Sequence, residues 1–174
     1  MNKQWLKLAI IGIVLTMAPN AQAQAKAKDF EAGMAALLVP YLKIHAVFIE
    51  DKGDGVPEAA ARMEALAREV PAPAAGVNKA KVLARLPAKL LKAVTKLKAA
   101  KDLHAQRAAF KQVSRPMVLW ATLSRPEGIK IVYCEMEKAS WLQRHKGIRN
   151  PYHGSKMLFC GQWVKPAGQG EKAR

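Results

Sequence analysis

Between residues 30 and 124 the apolar positions recur with the spacing of amphipathic helices. Four such stretches follow one another, and the breaks between them are rich in Gly, Pro or Asp. They run from Phe30 to Glu50, from about Pro57 to Val70, from about Lys79 to Ala100, and from Asp102, a candidate cap, to Ser124. Four amphipathic segments joined by short loops predict a mainly α fold, an antiparallel up-down-up-down four-helix bundle.

One proline interrupts this pattern. Pro40 lies inside the first stretch and should kink that helix or restart it.

The polar turn at residues 51–55 resembles a calcium loop, but Arg62 stands where an EF-hand needs its bidentate acid. A calcium site is therefore not predicted.

After Gly128 the helical period gives way to the alternation of a short strand, which runs from Ile129 to Cys134. Residues 158–164 are also strand-like, and the Asn-Pro-Tyr-His-Gly sequence at 150–154 is typical of a turn. The two strands are expected to pair antiparallel as a small β-hairpin-like extension. This pairing would bring Cys134 towards Cys160, although the sequence does not fix the register.

The chain begins with the features of a cleavable signal peptide over residues 1–23. Lys3 and Lys7 precede an apolar run from Leu8 to Met17, and Ala-Gln-Ala at 21–23 fits a cleavage site. The run is too short to span a bilayer, so a protein that is not membrane-spanning is expected, exported to a bacterial periplasm. Residues 24–29 would be a flexible start, residues 30–165 one domain with a Cys/Met-bearing segment at 129–164, and residues 166–174 a disordered tail.

The formal charge of +16 falls to +14 when Lys3 and Lys7 leave with the signal. The polar face of the third stretch is especially basic and has no acid before Asp102. Such an excess favours acidic partners, namely a protein surface, anionic lipid or cell-wall polymers, while nucleic acid is not expected in that compartment. The alternative is that the lysines only solvate helix faces. Redox, hydrolase, zinc-protease and phosphate-loop motifs are missing from the sequence, which predicts no enzyme.

The candidate chemistry is concentrated between Tyr133 and Gly161. Each cysteine has a methionine nearby, Met136 two residues after Cys134 and Met157 three residues before Cys160, and His153 offers a further ligand. Soft sulfur donors select Cu(I) or Ag(I) over harder divalent ions. The alternative is a Cys134–Cys160 disulfide, which an exported protein favours and which would contribute roughly 3–4 kcal/mol by closing a loop of about 27 residues. The residues alone leave both possibilities open.

The ordered series of residues in this stretch resembles a known family. The series is Tyr133-Cys134-x-Met136, Trp141-Leu142-Gln143 and Ile148-x-Asn150-Pro151-Tyr152-x-Gly154-x-x-Met157-Leu158-x-Cys160-Gly161. Weaker matches are Tyr41-Leu42-Lys43-Ile44-His45-Ala46 and Gln106-Arg107-x-x-Phe110-x-x-x-Ser114. Together they resemble the small periplasmic helical domain of formally unknown function that occurs alone or fused to periplasmic adaptor subunits of copper/silver efflux pumps.

The resemblance implies a helical bundle that carries its Cys-x-Met and Met-x-x-Cys elements at one end. It implies Cys134, Met136, Met157 and Cys160 as copper ligands and components of a copper/silver efflux pump as partners. One departure is Glu135, since the family commonly has proline between the cysteine and the methionine.

The sequence thus predicts an exported Cu(I)-binding protein that acts as a chaperone, a buffer or an efflux accessory. The alternative is a disulfide-stapled basic interaction module without metal, which docks on an acidic partner or on the envelope surface.

Overall fold

Helices form most of the structure, as the hydrophobic pattern predicts. The structure is a computed structural model and describes residues 19–76 and 79–164. Its helices are α1 (Pro19–Ala36), α2 (Leu38–Ile49), α3 (Val56–Glu69), α4 (Ala80–Leu83), α5 (Leu86–Ala99) and α6 (Leu103–Ser124). Its strands are β1 (Lys130–Cys134), β2 (Ala139–Gln143) and β3 (Gln162–Trp163), with a 3₁₀ turn at Gly154–Met157 before the last. Most of the predicted signal peptide and the predicted tail lie outside the described residues.

The first predicted helix consists of two segments, α1 and α2. The break at Leu37 follows from Pro40, which has no N–H to donate to the carbonyl group of residue 36, where α1 ends. Residues 24–29 belong to α1 and are mostly exposed. The flexible start that was expected for the mature chain stays a prediction at these residues.

The third predicted helix is also interrupted, between α4 and α5. Pro87 is the second residue of α5, where its missing N–H is tolerated because the first helical N–H groups have no intrahelical partner. The start of α6 follows the prediction, because the Asp102 carboxylate accepts a hydrogen bond of 2.8 Å from the N–H of Ala105. This helix ends at Ser124, as the Ser-Arg-Pro-Glu-Gly sequence predicts.

The helices form one hydrophobic core. Helix α3 packs against α2 and α5, and α6 packs against α5 and strand β2. The largest fully buried side chains come from five helices, from the break between α1 and α2, and from the sheet: Phe30, Met34, Leu37, Tyr41, Ile44, Phe48, Met63, Leu86, Leu90, Phe110, Trp120 and Trp141. The stretch Gln24–Ile49 is long and apolar enough to cross a membrane by length and composition, and 44% of its apolar window is buried inside the structure.

The C-terminal sheet is antiparallel and has the strand order β2-β1-β3. The predicted pairing of the first strand with the last is confirmed, with Val132 opposite Trp163 and Tyr133 opposite Gln162. The structure adds β2, which pairs with β1 over its whole length. The sequence pattern did not predict β2, because its last three residues are all buried and do not alternate between buried and exposed positions.

Candidate functional site

The pairing of β1 with β3 brings the two cysteines together. Their Sγ atoms lie 3.4 Å apart, and both residues are free thiols in the structure. Cys134 is the last residue of β1 and is fully buried, whereas Cys160 precedes β3 and is partly exposed. Because residues 133 and 162 are register partners, the next pair along the ladder places Cys134 beside Gly161. The expected approach of the two cysteines is thus present.

Gly161 permits this close approach. Its φ of +149° is a conformation that L side chains rarely adopt, and a Cβ at this position would lie 2.9 Å from the Trp141 ring and from a Val132 methyl group. A side chain here would therefore push the segment that carries Cys160 away from β1.

The two methionines flank the pair at different depths. Met136 lies in the β1–β2 turn, and the residue is 65% exposed. Met157 ends the 3₁₀ turn, is partly buried, and accepts a hydrogen bond of 3.0 Å at its carbonyl oxygen from the N–H of Cys160. The backbone of Met157 is therefore fixed to that of Cys160, whereas Met136 lies exposed in the turn between β1 and β2.

His153 is engaged by an acidic residue. Its Nε2 lies 2.9 Å from Oε1 of Glu137, without the angle of a hydrogen bond. The other carboxylate oxygen of Glu137 pairs with Lys111 of α6. As a metal ligand, His153 would have to use Nδ1 or leave Glu137.

Asn150 is buried and fixes the loop that carries Cys160. Its side-chain amide donates to the carbonyl oxygen of Cys160 at 3.0 Å, and its side-chain oxygen accepts from the N–H of Tyr152 at 2.8 Å. Its own backbone N–H donates to the carbonyl oxygen of Leu158 at 2.7 Å. Asn150 therefore holds Leu158 and Cys160, the two ends of the short segment that follows the 3₁₀ turn.

The helices hold this C-terminal segment through a few polar and aromatic contacts. The Tyr41 hydroxyl lies 2.7 Å from Ser114 Oγ and accepts from the N–H of Leu142 at 3.1 Å. Arg107 donates through Nε to the carbonyl oxygen of Pro151 at 3.0 Å. The ring of Phe110 on α6 lies 6.3 Å from that of Tyr152.

His45 contributes a further contact from α2. Its Nε2 lies 2.9 Å from the carbonyl oxygen of Arg149, which can only accept, so the ring donates from Nε2. Burial, assisted by the neighbouring His145, lowers the pKa of His45 to about 4. The ring is therefore neutral at pH 7, and this buried histidine joins α2 to the loop at Arg149.

The electrostatic setting of the sulfur pair keeps Cys160 protonated at neutral pH. Its hydrogen bond with Cys134, together with partial desolvation, raises the pKa of the Cys160 thiol. A metal that binds both sulfurs must therefore displace protons. Among the described residues, no group of three or more His, Cys, Asp or Glu side chains is arranged to hold a metal ion.

Several residues that shape the site were not singled out as functional from sequence. Asn150, Tyr41 and Phe110 were named in the motifs of the family resemblance, but no role at the site was predicted for them. The motifs of the family resemblance could have pointed to these residues, because they contain all three of them and also His45 and Arg107. In the structure those motif residues join the helices to the segment that carries the cysteines.

One comparison with known proteins gives a match. A family model described as a protein of unknown function (DUF3347) matches residues 37–127, more than half of the chain. The matched part covers α2 to α6 and ends before Cys134, so the four candidate sulfur ligands, Cys134, Met136, Met157 and Cys160, all lie beyond it. Neither the curated proteins nor the solved structures give a significant match.

Proposed function

We propose that this chain, which belongs to the DUF3347 family of proteins of unknown function, is an exported protein that binds Cu(I) in the periplasm. It would act as a chaperone, a buffer or an accessory of a copper/silver efflux pump. Its four helical segments would form an up-down-up-down bundle with the metal site at one end. The observation that carries the proposal is the pair of free thiols 3.4 Å apart, with methionines close by in sequence.

The spacing of the two sulfurs suits a bent site. Taking the zinc–thiolate bond of about 2.3 Å as a guide, two sulfurs at this spacing would subtend an angle of about 95° at the metal. A bent pair leaves room for a third donor, and a thioether is the soft neutral ligand that Cu(I) prefers. Met157 is the better placed of the two methionines because its backbone is already fixed to Cys160.

The accessibility of the pair fits exchange with a partner. Cys160 is partly exposed and Cys134 is buried behind it, so an incoming ion would meet Cys160 first. Partners would be components of a copper/silver efflux pump, which is what the family resemblance implies. The matched family residues end before the sulfur pair, so the ligand assignment rests on the C-terminal segment alone.

An anaerobic Cu(I) titration of the reduced protein against a chromogenic chelator tests the proposal. We expect about one tight equivalent, lost in Cys134→Ser and in Cys160→Ser, and weakened more by Met157→Leu than by Met136→Leu. Val132→Thr is the matched control, because it adds a buried hydroxyl on the same strand and leaves both thiols in place. Undiminished Cu(I) binding in both cysteine variants would refute the proposal.

The same thiol pair favours a second function, a disulfide-stapled basic interaction module. Thiol–disulfide exchange with a disulfide oxidant of the periplasm would pass two electrons and two protons from the pair to that disulfide, which is reduced to two thiols. The exchange would join the two sulfurs, which must approach from 3.4 Å to about 2.05 Å. The module would then dock on an acidic partner or on the envelope surface without metal.

Thiol counting on protein purified from the periplasm without reductant separates the two functions. Two free thiols and a melting temperature that rises with Cu(I) favour the copper protein. No free thiols, and a melting temperature that falls on reduction and ignores copper, favour the stapled module.

A further inference from the structure

A basic groove runs between α5 and α6 on a different part of the surface from the thiol pair. Its volume is about 440 Å³. Lys89, Lys92 and Lys96 line one wall and Arg115 lines the other, and the lining residues include no acid. All four cationic side chains are exposed, and they form no ion pair with the described residues.

The groove continues towards the sheet. A second depression of about 240 Å³ shares Arg115 and Leu119 with the first and adds Lys138 from the β1–β2 turn. Its lining residues are again without an acid. Arg115 on α6 therefore connects the lysines of α5 with Lys138 in the β1–β2 turn.

The floor of the groove is apolar. Ala93, Pro116 and Leu119 line it, and the side chain of Leu119 remains 36% exposed. A row of lysines that only solvates a helix would stand on a convex face, whereas these lysines border a concave apolar strip. A ligand that matches the groove must carry negative charge along its edges and apolar side chains between them.

We propose that this groove binds an acidic amphipathic helix of a partner protein. The three lysines on α5 are spaced i, i+3 and i+7, so their row extends about 10 Å, which is two turns of a bound helix. Acidic residues at the same spacing would face the lysines, and leucines between them would cover Leu119. A membrane surface is a poorer fit, because a flat bilayer reaches the rim of a groove and not its apolar floor.

The proposal does not depend on copper. It concerns residues that are separate from Cys134 and Cys160, so loss of metal binding would leave it untouched.

Fluorescence anisotropy with a synthetic peptide tests the groove. The probe is a labelled Glu/Leu amphipathic peptide of about 15 residues, the length at which an isolated helix becomes marginally stable. A scrambled peptide of the same composition keeps the charge and loses the apolar stripe. We expect the amphipathic peptide to bind at least about tenfold more tightly than the scrambled one, since only the former covers the floor.

Two charge-matched double variants locate the binding. Lys92→Glu with Lys96→Glu changes the groove, and Lys81→Glu with Lys146→Glu makes the same change in net charge at exposed sites outside it. The groove pair should weaken peptide binding at least about tenfold more than the control pair. Leu119→Ser should weaken it without any change of charge.

Three outcomes would overturn the proposal. The first is equal weakening in the two double variants, which would reveal general electrostatic attraction. The second is the absence of peptide binding at low salt. The third is binding to phosphatidylglycerol vesicles that the groove variants abolish while the peptide does not compete, which would identify a lipid site.

Discussion

The side-chain amide of Asn150 donates a hydrogen bond of 3.0 Å to the carbonyl oxygen of Cys160, ten residues further along the chain. Asn150 is fully buried, and its side-chain oxygen accepts from the N–H of Tyr152. The amide side chain of Asn150 therefore helps to fix the position of Cys160, whether the two cysteines bind a metal or form a disulfide.

Asn150→Ala should lower the free energy of unfolding by about 2–4 kcal/mol, because it leaves a buried carbonyl group and a buried N–H without partners. The released loop should also make Cys160 react faster with an aromatic disulfide reagent. Chemical denaturation and stopped-flow thiol titration measure the two effects. Gln112→Ala on the exposed face of α6 is the control, and a variant at Asn150 with wild-type stability and thiol reactivity would contradict this role.

The helical part of the fold was largely predictable from the sequence, because burial on one face of a helix produces a period that is visible without any tertiary information. The start at Asp102 and the end at Ser124 were predictable from other local signals, a capping side chain and a following Pro-Glu-Gly break. The interruption before α5 was missed although Pro87 marks it, since the apolar period continues across the break.

The candidate site was only partly predictable. The approach of Cys134 to Cys160 followed from two strand-like segments around a turn. The contacts that fix it were not predictable, because they join residues far apart in sequence, such as Tyr41 and Leu142, separated by 101 positions. Strand β2 was missed because its last three residues, Trp141, Leu142 and Gln143, are all buried. Such a run lacks the alternation of buried and exposed positions that identifies a strand in a sequence.

Tyr41 stabilises the edge of the sheet from the helical side. Strand β2 is an edge strand, and the N–H of Leu142 donates to the Tyr41 hydroxyl at 3.1 Å. Tyr41→Phe should lower the free energy of unfolding by about 1–3 kcal/mol, because it leaves this buried N–H without an acceptor. Tyr133→Phe, at a partly exposed side chain, should change it by less than about 0.5 kcal/mol. Urea denaturation of both variants measures the difference, and equal effects would show that the Tyr41 hydroxyl is dispensable.

Gly154 lies where the 3₁₀ turn meets the loop between α2 and α3. Its φ is +56°, and a Cβ there would collide with the side chains of Asp51 and Arg107. The Asp51 carboxylate is occupied, since it accepts from Arg107 Nη2 at 2.7 Å and from the N–H of Ser155 at 3.0 Å.

Gly154→Ala should therefore destabilise the protein by more than the conformational cost alone, which is about 1–2 kcal/mol. Gly128→Ala isolates that cost, because Gly128 has a φ of +69° and a Cβ there would meet nothing within 4 Å. Thermal denaturation of the two variants gives the comparison. The same loss in both would mean that the ion pair of Asp51 and Arg107 moves aside at no cost.

His45 makes the stability depend on pH in the acidic range. Its pKa is about 4 in the folded protein and near 6.5 when exposed, because burial disfavours the charged ring. The unfolded chain therefore binds the proton more readily between these values. The stabilisation is fully present above about pH 6.5 and is lost as the pH falls towards 4, with an upper limit of about 3 kcal/mol.

His45→Gln should flatten the dependence of the free energy of unfolding on pH between about 6.5 and 4, since the variant has nothing to protonate at this position. The test compares how steeply the free energy of unfolding changes with pH and not its absolute value, because the substitution also changes packing and the baseline stability. His104→Gln, at an exposed site on α6, should keep the wild-type slope. Urea denaturation at a series of pH values measures all three proteins. If the slope of His45→Gln equals that of the wild type, other groups cause the acid sensitivity, and the buried neutral ring that bonds Arg149 has no part in it.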